Sequence, residues 1–425
     1  MQFPYPFLLV GVFFATHMMT VIASENFTPI ASCDDLQNIT DMTGQYYLSA
    51  NIDCENKPFT PIGAGGAIFS GTLDGGIYDI NGEYTGENYT IANLLIEADP
   101  DREDDTHRGL FWQLGSLYAT SQAVIKNINF NHATVYSFDT HYRALLAAKA
   151  ESAKISNIHV TDLKVWSAGN KKDYYYAAGL IAYANRVHLE NVHITNITLQ
   201  KNLIAGGLIG LTMPGTIIEK SSVQGLDSGG AECINYYMAP YACAFGGLIG
   251  YIADNKKPHP SDTVKITESF AAGRIDTKHN IGGLVGTIAP FVGVTIMNSY
   301  SDVRLVPNCQ GYCDYAGGLI GRAYTEQNEY PIILEKVYAI GKVEPRAEYH
   351  SRAIIGHKHQ SGSTRIQGTE SYFDTQTVQK NHSGDKISTS LTTAQMQDAD
   401  GEHFMYWDRS IWDFEESHYP QLLID

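Results

Sequence analysis

The sequence predicts an all-β fold: a β-solenoid, preferably a right-handed parallel β-helix of about eight three-strand coils, with an N-terminal lead-in and a C-terminal cap. Three observations predict it. A Gly-Gly-Leu-Ile-Gly marker recurs about every 35 residues, short segments of alternating polarity separate the copies, and glycine is frequent at 39 of 425 residues. With 27 Tyr and only 18% charged residues, the composition suits short strands and tight turns rather than a helical bundle.

At the N-terminus, residues 1–23 carry no charge and run through Phe7, Leu8, Leu9 and Val10 to Val21-Ile22-Ala23. That small-residue ending is of the kind a signal peptidase cuts. The segment is expected to be a secretory signal, which makes the mature chain secreted, periplasmic or displayed at the cell surface. No later stretch reaches the roughly 20 apolar residues of a membrane span, so none is expected after signal removal. Six cysteines form three local pairs, Cys33 with Cys54, Cys233 with Cys243 and Cys309 with Cys313. Behind a signal they read as loop-closing disulfides. The alternative, a metal site built from the last four, lacks CxxC spacing and clustered His.

The markers follow. Their first apolar residues fall at positions 110, 145, 180, 208, 248, 284, 319 and 354, in steps of 35, 35, 28, 40, 36, 35 and 35. After each marker comes a module that opens on a β-branched or Leu residue, such as Ile125-Lys126-Asn127-Ile128, Ile155-Ser156-Asn157-Ile158, Leu189-Glu190-Asn191-Val192 and Ile296-Met297-Asn298-Ser299. A third segment usually follows, such as Lys164-Val165-Trp166 or Val303-Arg304-Leu305. Stacking like segments about 4.8 Å apart would join their inward apolar residues into one column. The recurring Asn127, Asn157, Asn191 and Asn298 fall where a stacked asparagine corner or a left-handed turn belongs. Helical repeats of similar period need longer segments with fewer β-branched residues and glycines.

These residues resemble the GLUG-motif family of bacterial secreted and surface proteins. The flanks resemble it too: Cys33 to Cys54 with Phe59-Thr60-Pro61-Ile62-Gly63 at one end, and Ser371-Tyr372-Phe373-Asp374 with Leu391-Thr392-Thr393-Ala394-Gln395-Met396 at the other. The resemblance implies a β-helix on the cell surface, with residues 24–100 as lead-in and first coils, 101–370 as repeat body and 371–425 as cap. Residues 76–87 depart from the pattern as an insertion. Some relatives belong to immunoglobulin A-cleaving metallopeptidases, but this chain has no His-Glu-x-x-His, so that activity does not carry over. A short helix over 391–397, capped by Ser390, is expected to cover the last coil.

For function the sequence offers recognition before catalysis. The net charge of −17 repels nucleic acid and anionic membranes. Tyr174, Tyr175 and Tyr176, with Tyr236 and Tyr237, fall in loops where rings stack on sugars or anchor a protein partner; ordinary edge packing is the plainer reading of any one of them. The expected ligand is therefore a glycan or a host protein, bound by a monomer with no cofactor. The alternatives are a polysaccharide lyase or glycosidase, whose carboxylates would line up on adjacent coils, and a purely structural spacer. The question of a metal stays open at Asp101, Glu103 and Asp105 in an acidic loop, and at His350, His357 and His359. In both places a solvated surface is the plainer reading.

Overall fold

A computed structural model describes residues 27–97, 106–137, 141–167, 176–200, 204–229, 243–254, 259, 262–278, 280–308, 315–325, 330–344, 351–360, 366–378 and 387–424. Within them the chain winds as a parallel β-helix. One sheet has 20 strands, two more have eight each, and all three stack like strand on like strand from successive coils. One coil illustrates the rest. Ile204–Gly206 lies in one eight-stranded sheet, the chain bends at Gly207-Leu208, Ile209–Thr212 lies in the other, and Ile217–Glu219 with Ser222–Asp227 joins the broad sheet.

The marker is thus a corner rather than a strand. Its leucine closes the ladder between coils: Leu208 N donates to Leu248 O at 2.9 Å, Leu248 N to Leu284 O at 2.9 Å, and Leu284 N to Leu319 O at 2.9 Å. These leucines are fully buried. The second glycine of each marker sits where coils nearly touch. A Cβ on Gly247 would lie 2.0 Å from the Gly283 carbonyl oxygen, and one on Gly283 1.9 Å from that of Gly318. The copy at Ala353 tolerates its methyl because no further marker coil follows to receive it. One marker shifts. Ala147 pairs with Phe111 on one side and Ile181 on the other, so Leu146, not Leu145, is the equivalent of Leu180. Leu145 takes a corner position that glycine holds in later coils, and its side chain is fully buried.

The two segments after each marker merge in the broad sheet, most completely in Ala153–Ser167 and Val294–Pro307. Their inward residues form the expected column. Ile125, Ile155, Leu189, Ile218, Ile266, Ile296 and Leu334 stack in register and are fully buried. Each contributes roughly 1.5–3 kcal/mol of apolar burial. The module's third residue turns the strand: Asn127, Asn157, Asn191, Lys220, Glu268, Asn298, Lys336 and Glu370 all have φ between 45° and 58°. Asparagine suits that left-handed region because its short amide can bond locally. Here Asn157 donates to Asn127 Oδ1 at 2.9 Å, and Asn191 to Asn157 Oδ1 at 3.3 Å.

At the N-terminal end, Cys33 and Cys54 form a disulfide, and the helix Cys33–Gln37 buries Leu36 in the core. Cys243 is also disulfide-bonded; Cys233, Cys309 and Cys313 lie outside the described residues. Near the C-terminus, Thr389–Leu391 pairs with Ile366–Asp374 as the last strand of the broad sheet. The expected helix is shorter than 391–397. It spans Thr393–Met396, and its cap is Thr392, which forms a reciprocal capping box with Gln395. Ser390 lies within the strand instead.

Candidate functional site

The broad sheet's outer face carries a second column of side chains, starting two residues past each left-handed corner. His159, His193, Ser222, Phe270, Tyr300, Tyr338 and Tyr372 are consecutive neighbours across seven coils. Alternation along a strand sends residues flanking the inward ones to the opposite face. The rings stack: Phe270 on Tyr300 at 4.7 Å and 3°, Tyr300 on Tyr338 at 4.7 Å and 7°.

Residues beyond the helix Thr393–Met396 fold back along this column rather than over the end of the solenoid alone. Phe404, Trp407 and Trp412 form a second apolar core with Tyr300, Tyr338 and Tyr372. The phenols are satisfied by that segment. Tyr338 donates to Pro420 O, Tyr372 to His403 O at 2.9 Å, and Tyr300 to Gln421 Oε1 at 3.1 Å. Burial pushes the Tyr300 hydroxyl well above its usual range, so it stays protonated. An antiparallel pairing of Trp412 with Leu422 and of Asp413 with Gln421 fixes the last residues.

Where the roof ends a trough begins. One part, of about 560 Å³, is lined by His159, His193, Gln224, Phe270 and Asp302, with Gln421, Leu422 and Ile424 on its flank. A second part, of about 690 Å³, runs on past Arg304 and Lys342 to Gln376 and Thr377. The two share Ala272, Asp302 and Ile340, so they are continuous.

The asparagine ladder fixes the trough's histidines. Because Asn191 donates its amide to Asn157, its Oδ1 is left to accept from His193 Nε2 at 2.6 Å. His193 Nδ1 in turn hydrogen-bonds the Ser222 hydroxyl at 2.8 Å. His159 Nε2 meets Asn157 Oδ1 at 3.1 Å, and burial lowers its pKa, which keeps the ring neutral. Asp302 is open to solvent on one side, yet burial among the trough's atoms raises its carboxyl. Beside it, Arg304 binds Glu344, Lys342 lies 3.8 Å from the same carboxylate, and Arg304 holds Glu344 below the usual range.

The ladder starts at Asp74, just before the insertion. Asp74 accepts from Asn127 at 2.9 Å, from Gly76 N at 2.9 Å and from Tyr78 at 2.6 Å, and lies 3.0 Å from Lys126. Burial works against its charge, but these donors outweigh it and lower its pKa. The inserted residues form a hairpin, Gly76–Tyr78 against Tyr84–Ala92, and Asn157 donates to Tyr84 of that hairpin at 2.7 Å.

Of the tyrosines singled out from sequence, Tyr174, Tyr175, Tyr236 and Tyr237 lie outside the described residues. Tyr176 is on a different sheet from the trough, stacked on Tyr142 at 5.2 Å, which stacks on His107 at 4.9 Å. Asp101, Glu103, Asp105 and His350 also lie outside the described residues, as does the side chain of His359. His357 stacks on Tyr315 at 3.9 Å. Among the described residues, His188, Glu190 and Glu219 bring ligand-type atoms within 4.8 Å of one another. Each already has a partner there: His188 bonds Glu219 at 2.6 Å, and Lys154 pairs with Glu190 at 3.3 Å.

The ring column was within reach of the sequence. The modules Thr267-Glu268-Ser269 and Met297-Asn298-Ser299 stop one residue short of Phe270 and Tyr300, and extending the period by that residue reveals it.

No protein-family model matches the chain, and no curated protein matches it. Among solved structures it is similar to one from Bacteroides ovatus described as a "putative immunoglobulin A1 protease", at 14% identity over 93% of this chain and 92% of that one, with a TM-score of 0.43.

Proposed function

We propose that this chain is an exported, surface-exposed β-helix protein that recognises glycans through the trough on its broad sheet. The observation that carries the reading is the trough's make-up. An aromatic ring, Phe270, stands among hydrogen-bonding groups, His159, His193 and Gln224, with one carboxylate, Asp302. Sugar rings have apolar faces and hydroxylated edges, and aromatic planes beside fixed polar groups complement both. Export is supported by the apolar leader and by the disulfide between Cys33 and Cys54. No helix among the described residues is long and apolar enough to cross a membrane. The marker and flank motifs support kinship with the GLUG-motif surface proteins.

Screening the purified chain and its Phe270→Ala variant on a glycan array tests this reading. Binding by the parent that falls at least tenfold in the variant is the expected result, and no glycan bound by the parent would refute it. Polysaccharide cleavage is a second reading, favoured by the raised carboxyl of Asp302 close to Arg304 and Lys342. Among the residues lining both parts of the trough Asp302 is the single acid, so the paired carboxylates of a glycosidase are not assembled there. Product release from a bound polysaccharide, lost in Asp302→Asn, would favour cleavage over recognition.

A further inference from the structure

Resting on the glycan reading, we infer that the trough takes a linear, uncharged, β-linked polysaccharide laid parallel to the solenoid axis, across about six sugar residues. The direction follows from the topology. Every residue on the trough's floor is the cross-coil neighbour of the next, from His159 through His193, Ser222 and Phe270 to Tyr300. The second column beside it, Thr161, Thr195 and Gln224, then Ala272 and Asp302, runs the same way.

Length follows from the coil spacing. From the coil of His159 to that of Gln376 there are six steps of about 4.8 Å, roughly 29 Å in all, which matches about six hexose rings in an extended chain. Each coil therefore meets about one sugar. Only a straight, ribbon-like chain keeps that step, as β-1,4-linked chains with both bridging bonds equatorial do, whereas α-1,4-glucans coil. Crosswise binding is blocked on one flank, where Gln421, Leu422 and Ile424 stand beside the floor. That flank is held in place by the Tyr300 hydroxyl on Gln421 and by the pairing of Leu422 with Trp412.

Charge selects against acidic chains. The protein carries −17 overall, and the charges along the trough balance once Asp302 is counted. Arg304 and Lys342 share Glu344, and Arg274 binds Asp276 at 2.5 Å. An acidic polymer would find no net positive charge on the floor, because Asp302 offsets the second of the two cations that share Glu344, and would meet repulsion from the acidic surface as a whole. A neutral chain meets the apolar ring of Phe270, which stacks on Tyr300, and the amides of Gln224 and Gln376.

Calorimetric titration of the full chain with cello-, xylo- and chito-oligosaccharides of one to eight units, and with oligogalacturonates, tests the inference. For at least one neutral series, affinity should rise at least tenfold from two to six units and level off beyond six. Asp302→Asn and Phe270→Ala should each weaken the hexamer at least fivefold. Gln376→Ala should weaken the hexamer while leaving the trimer unchanged; circular dichroism and an unaltered melting temperature would show these variants folded. A plateau at two units, or preference for the galacturonates, overturns the axial, uncharged inference while the glycan reading stands. Failure of every oligosaccharide to bind, together with an empty glycan array, overturns the reading itself.

Discussion

Gly247 has no room for a methyl group, because the next coil's carbonyl lies where a Cβ would go and Ala271 Cβ stands 2.5 Å from the same point. Gly247→Ala should therefore cost about 1–3 kcal/mol in urea unfolding, whereas Ala353→Gly at the last copy should cost about 0.5–1 kcal/mol through chain entropy alone. Equal losses at the two positions would remove the close-approach explanation. His107 illustrates a different single-residue constraint. It is stacked between Trp112 at 4.3 Å and Tyr142 at 4.9 Å, and burial, then Lys149, His141 and Arg108, lower its pKa to about 3. In the unfolded chain it titrates near 6.5, so between those values the folded state holds fewer protons. The stability it contributes is complete above about pH 6.5 and is lost as pH falls toward 3. His159, also lowered, acts in the same sense. Carboxylates with depressed values, such as Asp74, add their loss only below their ordinary value of 3.8. His107→Gln should flatten urea midpoints between pH 6.5 and 4.5, and an unchanged slope there would show that the imidazole is not the source.

Elements here are decided by what lies on the next coil. The apolar marker falls at the junction of two sheets, with Gly206 ending one strand and Ile209 opening the next. The Asn corner was legible because left-handed backbone favours a specific side chain; Lys220 and Glu268 occupy the same corner without that signal. The segment after the helix Thr393–Met396 carries no periodicity that tells where it docks, since its partners are Tyr338 and Tyr300, some 80 to 120 residues earlier. Trp412 is nearly fully buried against both rings. Trp412→Ala should destabilise by about 3–5 kcal/mol and raise binding of an apolar dye over the exposed column. Deleting 371–425 removes the strand Thr389–Leu391 and the second half of Ile366–Asp374 from the broad sheet and exposes an unpaired edge. Light scattering should find the truncated chain aggregated, and a monodisperse monomer would refute that capping role.

Across the whole molecule each coil contacts mainly its neighbours, so stability is local and additive along the axis. The disulfide joins residues 21 apart at the N-terminal end. Replacing Cys33 and Cys54 by Ser should cost about 3 kcal/mol by the loop-entropy estimate. Hydrogen exchange should rise chiefly in residues 27–97 and leave the coils beyond Ile320–Thr325 protected. Uniform loss along the chain would mean that the solenoid unfolds as one unit.

The sequence by itself determined the winding, because glycine, β-branched and asparagine positions repeat at one period and every repeat obeys the same short-range sterics. It also determined the Cys33–Cys54 pairing, which spans a single coil. Which outward residues meet a ligand was decided only in three dimensions. The trough exists because the broad sheet brings residues about 30 apart to one strand spacing, and because a C-terminal segment with no repeat of its own covers three rings and leaves Phe270 at the edge. Long-range docking of that kind depends on a surface that the chain creates only by folding.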